Sequence, residues 1–473
     1  MTSDDLVLIA NAGDATISAF ALDGDALRPL ATTALPGSCS TFAVDEARDL
    51  VYAGIKAGPG ADEPQILTLA LDRASGTLAE RSRRPAGGPP TFLELARDGS
   101  VLLGASYAAG RGFAWPVRDG VLGEPASEVS FANLHCVRAS ADGRFAYVVS
   151  LGDNLVAQYA LDAAGALTPL DPPTEDAPEG CGPRHLILDA EGTSAYVVTE
   201  FSGEVIRYAR DPRTGRLTRE EAVSIVDREA GLRHSRLGAD PTAEHLIWGA
   251  DLHLARGGQF LLASERSAST LATVDLASGG HLNEVIALRP TEAQPRGFAV
   301  TPDGTRVVAV GERSTFAALY RVTPTGELTD LDRAETGAGA NWVRVLPARP
   351  AHDDLARAAL QQAGDAIIVI DHTGTIREWN EHCVKLFGFT REQALGSDVT
   401  MMIPERLREA HERAFSRAMA TGHLASDGHP RRTKALTGDG GNVYVTMTFA
   451  VVNGASGPAI GSVAVAREYV KEA

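Results

Sequence analysis

A short apolar run recurs seven times along the first three-quarters of the chain: Leu6–Ala10, Leu50–Gly54, Val101–Ala105, Ala146–Ser150, Ala195–Thr199, Phe260–Ser264 and Val307–Gly311. Each is too short for a helix and suits a buried strand. Tight-turn pairs precede most of them: Asp98-Gly99, Asp142-Gly143, Glu191-Gly192, Gly257-Gly258 and Asp303-Gly304. Such pairs supply the positive φ that hairpin turns require. A second marker runs in step, a glycine followed within three residues by leucine, at Gly24, Gly76, Gly120, Gly165, Gly215, Gly280 and Gly326. Its spacings are 52, 44, 45, 50, 65 and 46 residues. Two markers with seven copies each at this period predict seven four-stranded blades around a ring, because a lone blade cannot bury both of its faces. No Trp-Asp dipeptide accompanies the repeats, so they are not of the WD40 kind. The 65-residue interval predicts an insertion in blade five near Asp227–Ile247, where a loop on one face shapes a pocket. Trp342–Leu346 is expected to pair with the N-terminal region and close the ring.

The pattern changes after the breaker segment Pro347–Ala351. Asp353 is placed to cap a helix over Asp354–Ala363. Strands are expected at Ala366–Ile370 and Ile376–Trp379, and short helices at Asn380–Gly388 and Thr390–Gly396. A longer helix over Glu405–Ala420 follows, then strands at Val443–Val452 and Gly461–Ala466. The expected architecture is mainly β: a seven-bladed β-propeller over residues 1–349, then an α+β domain over 353–473.

Composition narrows the function. The 473 residues carry 44 Lys+Arg against 61 Asp+Glu, a net charge of −17. With no basic stripe to displace counterions, nucleic-acid binding is not expected. No apolar run approaches the ~18 residues that mark a membrane span, and the N-terminus lacks the basic and apolar regions of a secretory signal. The four cysteines (Cys39, Cys136, Cys181, Cys383) follow no zinc or Cys-x-x-Cys spacing. A reduced, cytoplasmic protein is the expectation. None of the four lysines stands in a P-loop context, and neither G-x-S-x-G nor H-E-x-x-H occurs.

Charged residues at the ends of inner strands are not needed to fold a ring, yet several converge there: His135, Arg184, His185, Glu200, His253, Arg266 and Arg296. Four segments carry a resemblance. Cys-Gly-Pro-Arg-His-Leu-Ile-Leu (181–188), Gly-Ala-Asp-Leu-His-Leu (249–254), Thr-Glu-Ala-Gln-Pro-Arg-Gly-Phe (291–298) and Gly-Ala-Gly-Ala-Asn-Trp-Val (337–343) are similar, in the same order, to the lactonase family of seven-bladed propellers. That family includes a 6-phosphogluconolactonase and the fungal carboxy-muconate cyclase. The resemblance implies a catalytic set of His135, Arg184, Glu200 and Arg266 on successive inner strands. Arg296 and His185 are assigned to substrate binding. Lactone hydrolysis needs a base for water, here Glu200 or His135, and positive charge where the oxyanion forms, here Arg184 and Arg266. Residues 1–349 hold 46 acidic and 31 basic residues, so an anionic substrate needs a local cationic cluster against the global field. No cofactor is expected in the propeller.

The last quarter resembles a PAS sensor domain. The supporting segments are Asp365–Asp371, Gly374–Asn380, Phe387–Gly396 and Asp439-Gly440. Ile403-Pro-Glu-Arg-Leu-Arg-Glu-Ala-His411 is similar to the long helix of haem-binding PAS domains. The resemblance implies haem b with its iron held by His411, a propionate contact at Arg417, and a gas-stabilising cation at Arg431. Leu407, Met419, Met447 and Phe449 are expected as the apolar wall; an empty or differently loaded pocket is the alternative. No kinase or helix-turn-helix motif follows, so a signal would pass to the propeller, to a second PAS-paired subunit, or to a separate partner. Two readings result. One is a cytoplasmic lactonase acting on a small anionic sugar lactone, modulated by a PAS domain that takes O2, CO or NO. The other is a non-catalytic signalling protein whose propeller is a binding platform.

Overall fold

Each recurrent apolar run forms the second strand of an antiparallel sheet, and seven such sheets, six of them four-stranded and one five-stranded, make the ring. This is a computed structural model, and it describes residues 4–58, 60–348, 352–424, 428–453 and 459–469. The chain divides into two compact units, Asp4–Arg349 and Pro350–Ala473. In the first unit the innermost strands pack on one another around the axis: Cys39–Asp45, Phe92–Ala96, Leu134–Ala139, Pro183–Leu188, Gly249–Ala255, Gly297–Val300 and Ala340–Leu346. The last of these belongs to blade 1. It pairs with Asp5–Asn11, Val7 opposite Val345 and Ile9 opposite Val343, so the propeller's first and last strands complete one sheet. The fourth strands face solvent and alternate, as in His281–Pro290. Blade 3 departs from the repeat. Its edge is split into Val121–Leu122 and Ser127–Ser130, both paired to Arg111–Arg118, with Pro125, which offers no N–H, in the gap.

The two sequence markers meet across neighbouring blades. Tyr52, Tyr147 and Tyr196, all on second strands, donate their hydroxyls to the carbonyls of Gly120, Gly215 and Gly280 in the next blade, at 3.1, 2.7 and 2.6 Å. Gly280 has φ +74°, and a Cβ there would lie 2.5 Å from the Tyr196 hydroxyl. The marker is glycine because the turn needs left-handed backbone and the tyrosine needs the space. The insertion expected in blade five lies between blades 5 and 6. It contains a 3₁₀ turn, Arg228–Ala230, and a short helix, Pro241–Glu244, capped by Asp240.

The second unit is a five-stranded antiparallel sheet in the order Ile376–Trp379, Ala366–Asp371, Ala459–Glu468, Asn442–Asn453, Arg431–Leu436. Its first helix, His352–Gln362, begins before the expected start, so Asp353 lies inside the first turn rather than capping it. Trp379 is fully buried, and its indole donates to the Phe389 carbonyl at 3.2 Å. Buried Asn380 is satisfied on both sides. Its Oδ1 accepts from Ile367 and Cys383 N–H, and its Nδ2 donates to the Leu360 and Asp365 carbonyls. No helix in the described residues is long and apolar enough to cross a membrane.

Tyr147→Phe is expected to cost about 1–3 kcal/mol, because it leaves the buried Gly215 carbonyl without its donor. The shift in the urea midpoint of the propeller checks it.

Candidate functional site

Inner strands slip register near their first residues, and the slip decides which side chains aim at the axis. The ladder to the second strand skips Ser40 in blade 2, His135 in blade 4, Arg184 in blade 5 and Ala250-Asp251 in blade 6. A residue left out of the ladder is re-aimed by the bulge. His135 and Arg184 therefore occupy equivalent places in successive blades. Glu200 and Arg266 arrive differently, each one residue beyond a second strand, Ser194–Thr199 and Phe260–Glu265. The site thus draws on first and second strands, not on inner strands alone. Lys56 and Tyr107 follow the second strands of blades 2 and 3 in the same way, and Glu312 follows that of blade 7 by two residues. Arg296 immediately precedes the inner strand of blade 7.

Glu200 is the centre. Arg184 Nε donates to its Oε2 at 2.8 Å, Arg266 Nη2 lies 3.2 Å from the same oxygen, and Trp248 Nε1 donates to Oε1 at 3.2 Å. The Arg184 and Arg266 side chains are 1% and 3% exposed, so the carboxylate replaces the water they lost. The Arg266 guanidinium also lies 3.7 Å from the centre of the Trp248 ring. Gly249 lets blade 6 come this close: a Cβ there would meet the Thr199 carbonyl oxygen at 2.2 Å. Arg296 pairs with Glu312 at 2.9 Å. Burial raises the Glu200 carboxyl, but Arg266, Arg184 and Arg296 outweigh it and hold it below its ordinary value. Burial lowers Arg266 to about 9, with Glu200 opposing, and the guanidinium stays charged at neutral pH. Burial and then Arg296 pull the Lys56 ammonium down. Lys56, Arg184, Arg266 and Arg296 stand against Glu200 and Glu312, a local excess of two positive charges in a strongly acidic propeller.

His135 is 4% exposed, and its Nδ1 has no hydrogen-bond partner among the described residues. Its ring meets Tyr107 edge-on at 5.8 Å and lies 5.1 Å from His185. Burial first, then the charge of Arg184, holds it well below the usual imidazole range, so it is neutral at pH 7. His185 lies beside Arg184, with Nε2 3.2 Å from Arg184 Nη1 and Nδ1 2.8 Å from Asp251 Oδ1. It borders a second axial chamber of about 230 Å³ with His253, Arg138, Trp342 and Arg344.

The C-terminal unit contains an apolar cavity of about 320 Å³. Its wall includes Ile368, Met402, Leu407, Met447 and Phe449, with His411 from the helix Glu405–Thr421 and Arg431 from the adjoining strand. The His411 and Phe415 rings are parallel, one helical turn apart, with centroids 6.0 Å apart. Burial lowers the His411 imidazole, with Asp398 opposing. Arg417 and Met419 lie on the same helix but do not border the cavity. Residues 425–427, within the polar segment before Pro430, are outside the described residues.

Residues 7–345 match the family described as Lactonase, 7-bladed beta-propeller. The chain belongs to this lactonase family. Residues 354–468 match the PAS fold, so the propeller is followed by a PAS domain. The 6-phosphogluconolactonase of Serratia proteamaculans is 29% identical over 327 residues, 68% of this chain and 93% of the relative. That of Pectobacterium carotovorum is 28% identical over 67% of this chain and 91% of its own length. The structure of the Pseudomonas aeruginosa periplasmic gluconolactonase shares the propeller fold. Its TM-score is 0.64 at 24% identity, with 73% of this chain and 99% of that one covered.

In this lactonase-family propeller the structure gathers His135, Arg184, Glu200, Arg266 and Arg296 into one charged cluster, with His185 bonded to Arg184 at its edge. In the PAS domain it brings His411 and Arg431 to one cavity. Sequence reasoning passed over Lys56, Tyr107, Trp248, Asp251 and Glu312. For two of them a signal existed: Lys56 and Tyr107 stand two residues after an apolar repeat, as Arg266 does, and Glu200 follows its repeat directly. Trp248 had none, because the insertion delivers it.

Glu200→Gln leaves two buried arginines without a counter-charge and is expected to cost roughly 3–5 kcal/mol at pH 7. A carboxyl held below its ordinary value stabilises the fold at neutral pH, and this contribution fades as pH falls below ~4 toward the folded-state value. Denaturation from pH 7 to pH 3 should therefore show the two proteins converging in stability with acid.

Proposed function

We propose that this protein hydrolyses an anionic sugar lactone, with 6-phosphogluconolactone as the first candidate, and that its PAS domain binds a ligand that modulates the reaction. One observation carries the reading: a neutral imidazole with an unpaired nitrogen, His135, sits beside a side-chain cluster with surplus positive charge. The names of the curated relatives support the same substrate class.

Water attacks the lactone carbonyl carbon and passes a proton to the His135 imidazole. The carbonyl oxygen becomes an oxyanion, stabilised by Arg184 and Arg266 in a site where little water competes. Collapse breaks the ring C–O bond, and the imidazolium returns its proton to the leaving ring oxygen, releasing the open-chain acid. Glu200 has both oxygens engaged and a lowered pKa, so it holds the two guanidinium groups rather than taking the proton. Arg296 and Lys56 remain for the substrate's phosphate.

Haem b is the first candidate ligand of the PAS domain. The donor set fits it: a neutral imidazole at the wall of an apolar cavity, with a cation beside it. His411 would hold the iron and Arg431 would face the gas-binding side, while Arg417, outside the cavity wall, would serve at most a propionate. Bound there, haem would supply an iron that takes O2, CO or NO. A PAS-mediated homodimer belongs to the same reading and rests on the resemblance alone. The four cysteines are all unpaired and buried, which supports a cytoplasmic location, although the Pseudomonas relative is named periplasmic.

His135→Gln is expected to lower kcat for 6-phosphogluconolactone about 10²–10⁴-fold, followed by acid release. The wild-type pH–rate profile should stay flat across neutral pH and fall only well below 6.5, because the base is neutral down to there; a limb at 6.5 or above would remove His135 as base. Wild type that binds 6-phosphogluconate without turning over the lactone would favour the binding-platform reading. For the PAS domain, reduced protein reconstituted with haem should give a Soret band that shifts with CO and is lost in His411→Ala. Lactonase kinetics identical in every PAS ligand state would overturn modulation.

A further inference from the structure

Arg184 donates at every nitrogen and accepts at none. Its Nη1 lies 3.2 Å from His185 Nε2, so that ring nitrogen carries no proton and accepts. The proton of the neutral ring is then on Nδ1, where Asp251 Oδ1 accepts it at 2.8 Å. Asp251 is itself fixed. Leu252 N–H donates to its Oδ1 at 3.0 Å, its own N–H donates to Ser264 Oγ at 3.0 Å, and His253 Nε2 lies 3.3 Å from Oδ2. Phe92 and Trp342 meet the His185 ring edge-on at 5.4 and 5.9 Å, leaving it little freedom to turn. Burial, then the charge of Arg184, holds His185 down at about 4, against the pull of Asp251. The same Nη1 also donates to the Ala250 carbonyl, and Nε donates to Glu200.

We propose that Asp251 and His185 are positioning residues: the carboxylate fixes the His185 tautomer, and that tautomer holds the Arg184 guanidinium in place against Glu200. The logic runs one way. Moving the proton to Nε2, or protonating both nitrogens, sets a donor against a donor and drives Arg184 off. This explains why a histidine and an aspartate are buried beside a cation that already has a carboxylate partner. Its consequence for catalysis rests on the lactone-hydrolase reading; the tautomer does not.

Asp251→Leu keeps the shape and removes the acceptor. It is expected to lower kcat/KM for 6-phosphogluconolactone roughly ten- to a hundred-fold, the range for losing a partner that orients a functional group. Asp251→Asn retains Oδ1 as an acceptor and should recover most of that loss. In an Arg184→Met background, Asp251→Leu should add no further loss, whereas losses that multiply overturn the proposal. A second measurement needs neither turnover nor a stable variant. Nitrogen-15 NMR of the histidine-labelled full chain, with His185 assigned through His185→Gln, should show a neutral ring protonated at Nδ1 at pH 7. A proton on Nε2, or a doubly protonated ring, overturns the proposal whether or not any lactone is hydrolysed. Wild type without lactonase activity would instead remove the proposed function and leave the tautomer to decide the positioning.

Discussion

The pairing of Asp5–Asn11 with Ala340–Leu346 is the constraint on which the propeller depends. A blade has two apolar faces and can bury them only between neighbours, so a ring missing one contact would expose two faces at once. Using both ends of the propeller segment to build blade 1 makes closure a property of the whole ring. The inner strand of that blade carries Trp342, whose indole donates to the Phe42 carbonyl in blade 2 at 2.9 Å. The same strand therefore closes the ring and packs its axis.

A closed ring brings residues far apart in sequence onto one axis, and there this chain buries charge. Removing Arg184, Arg266 and Glu200 from water is costly, and their mutual attraction compensates only because the hydrogen bonds are nearly all made. The arrangement is rigid for that reason. Trp248, supplied by the long insertion, both donates to Glu200 and underlies Arg266, so a loop outside the repeat finishes a site that the repeat begins. His135 differs: its Nδ1 has no partner among the described residues, a buried polar atom that is expensive to keep, and it lies beside these charges.

The PAS domain solves a different problem. Asn380 binds four backbone groups and ties a helix to the sheet, and buried Trp379 packs beside Phe387. With that end of the core fixed, the other end is free to enclose a cavity instead of filling it. A neutral imidazole is at home in such a wall, because burial disfavours its charged form.

The sequence by itself determined the ring, its seven blades, the closing strand, and the α+β character of the last quarter, because strand period, turn glycines and repeat length are local properties. It also brought out His135, Arg184, Glu200, Arg266 and Arg296, through family motifs rather than through physics. Helix ends are weakly specified along the chain, so the helix expected from Asp354 already includes His352. Only the tertiary structure decided which charges meet. The register slips that aim His135 and Arg184 at the axis leave no mark in composition, and the Trp248–Glu200 bond joins segments separated by two outer strands and the insertion. The orientation of His185 depends on which atoms of Asp251 and Arg184 flank it. Hydrogen bonds and buried charge are set by distances of a few ångströms between distant segments, which no pattern along the chain encodes.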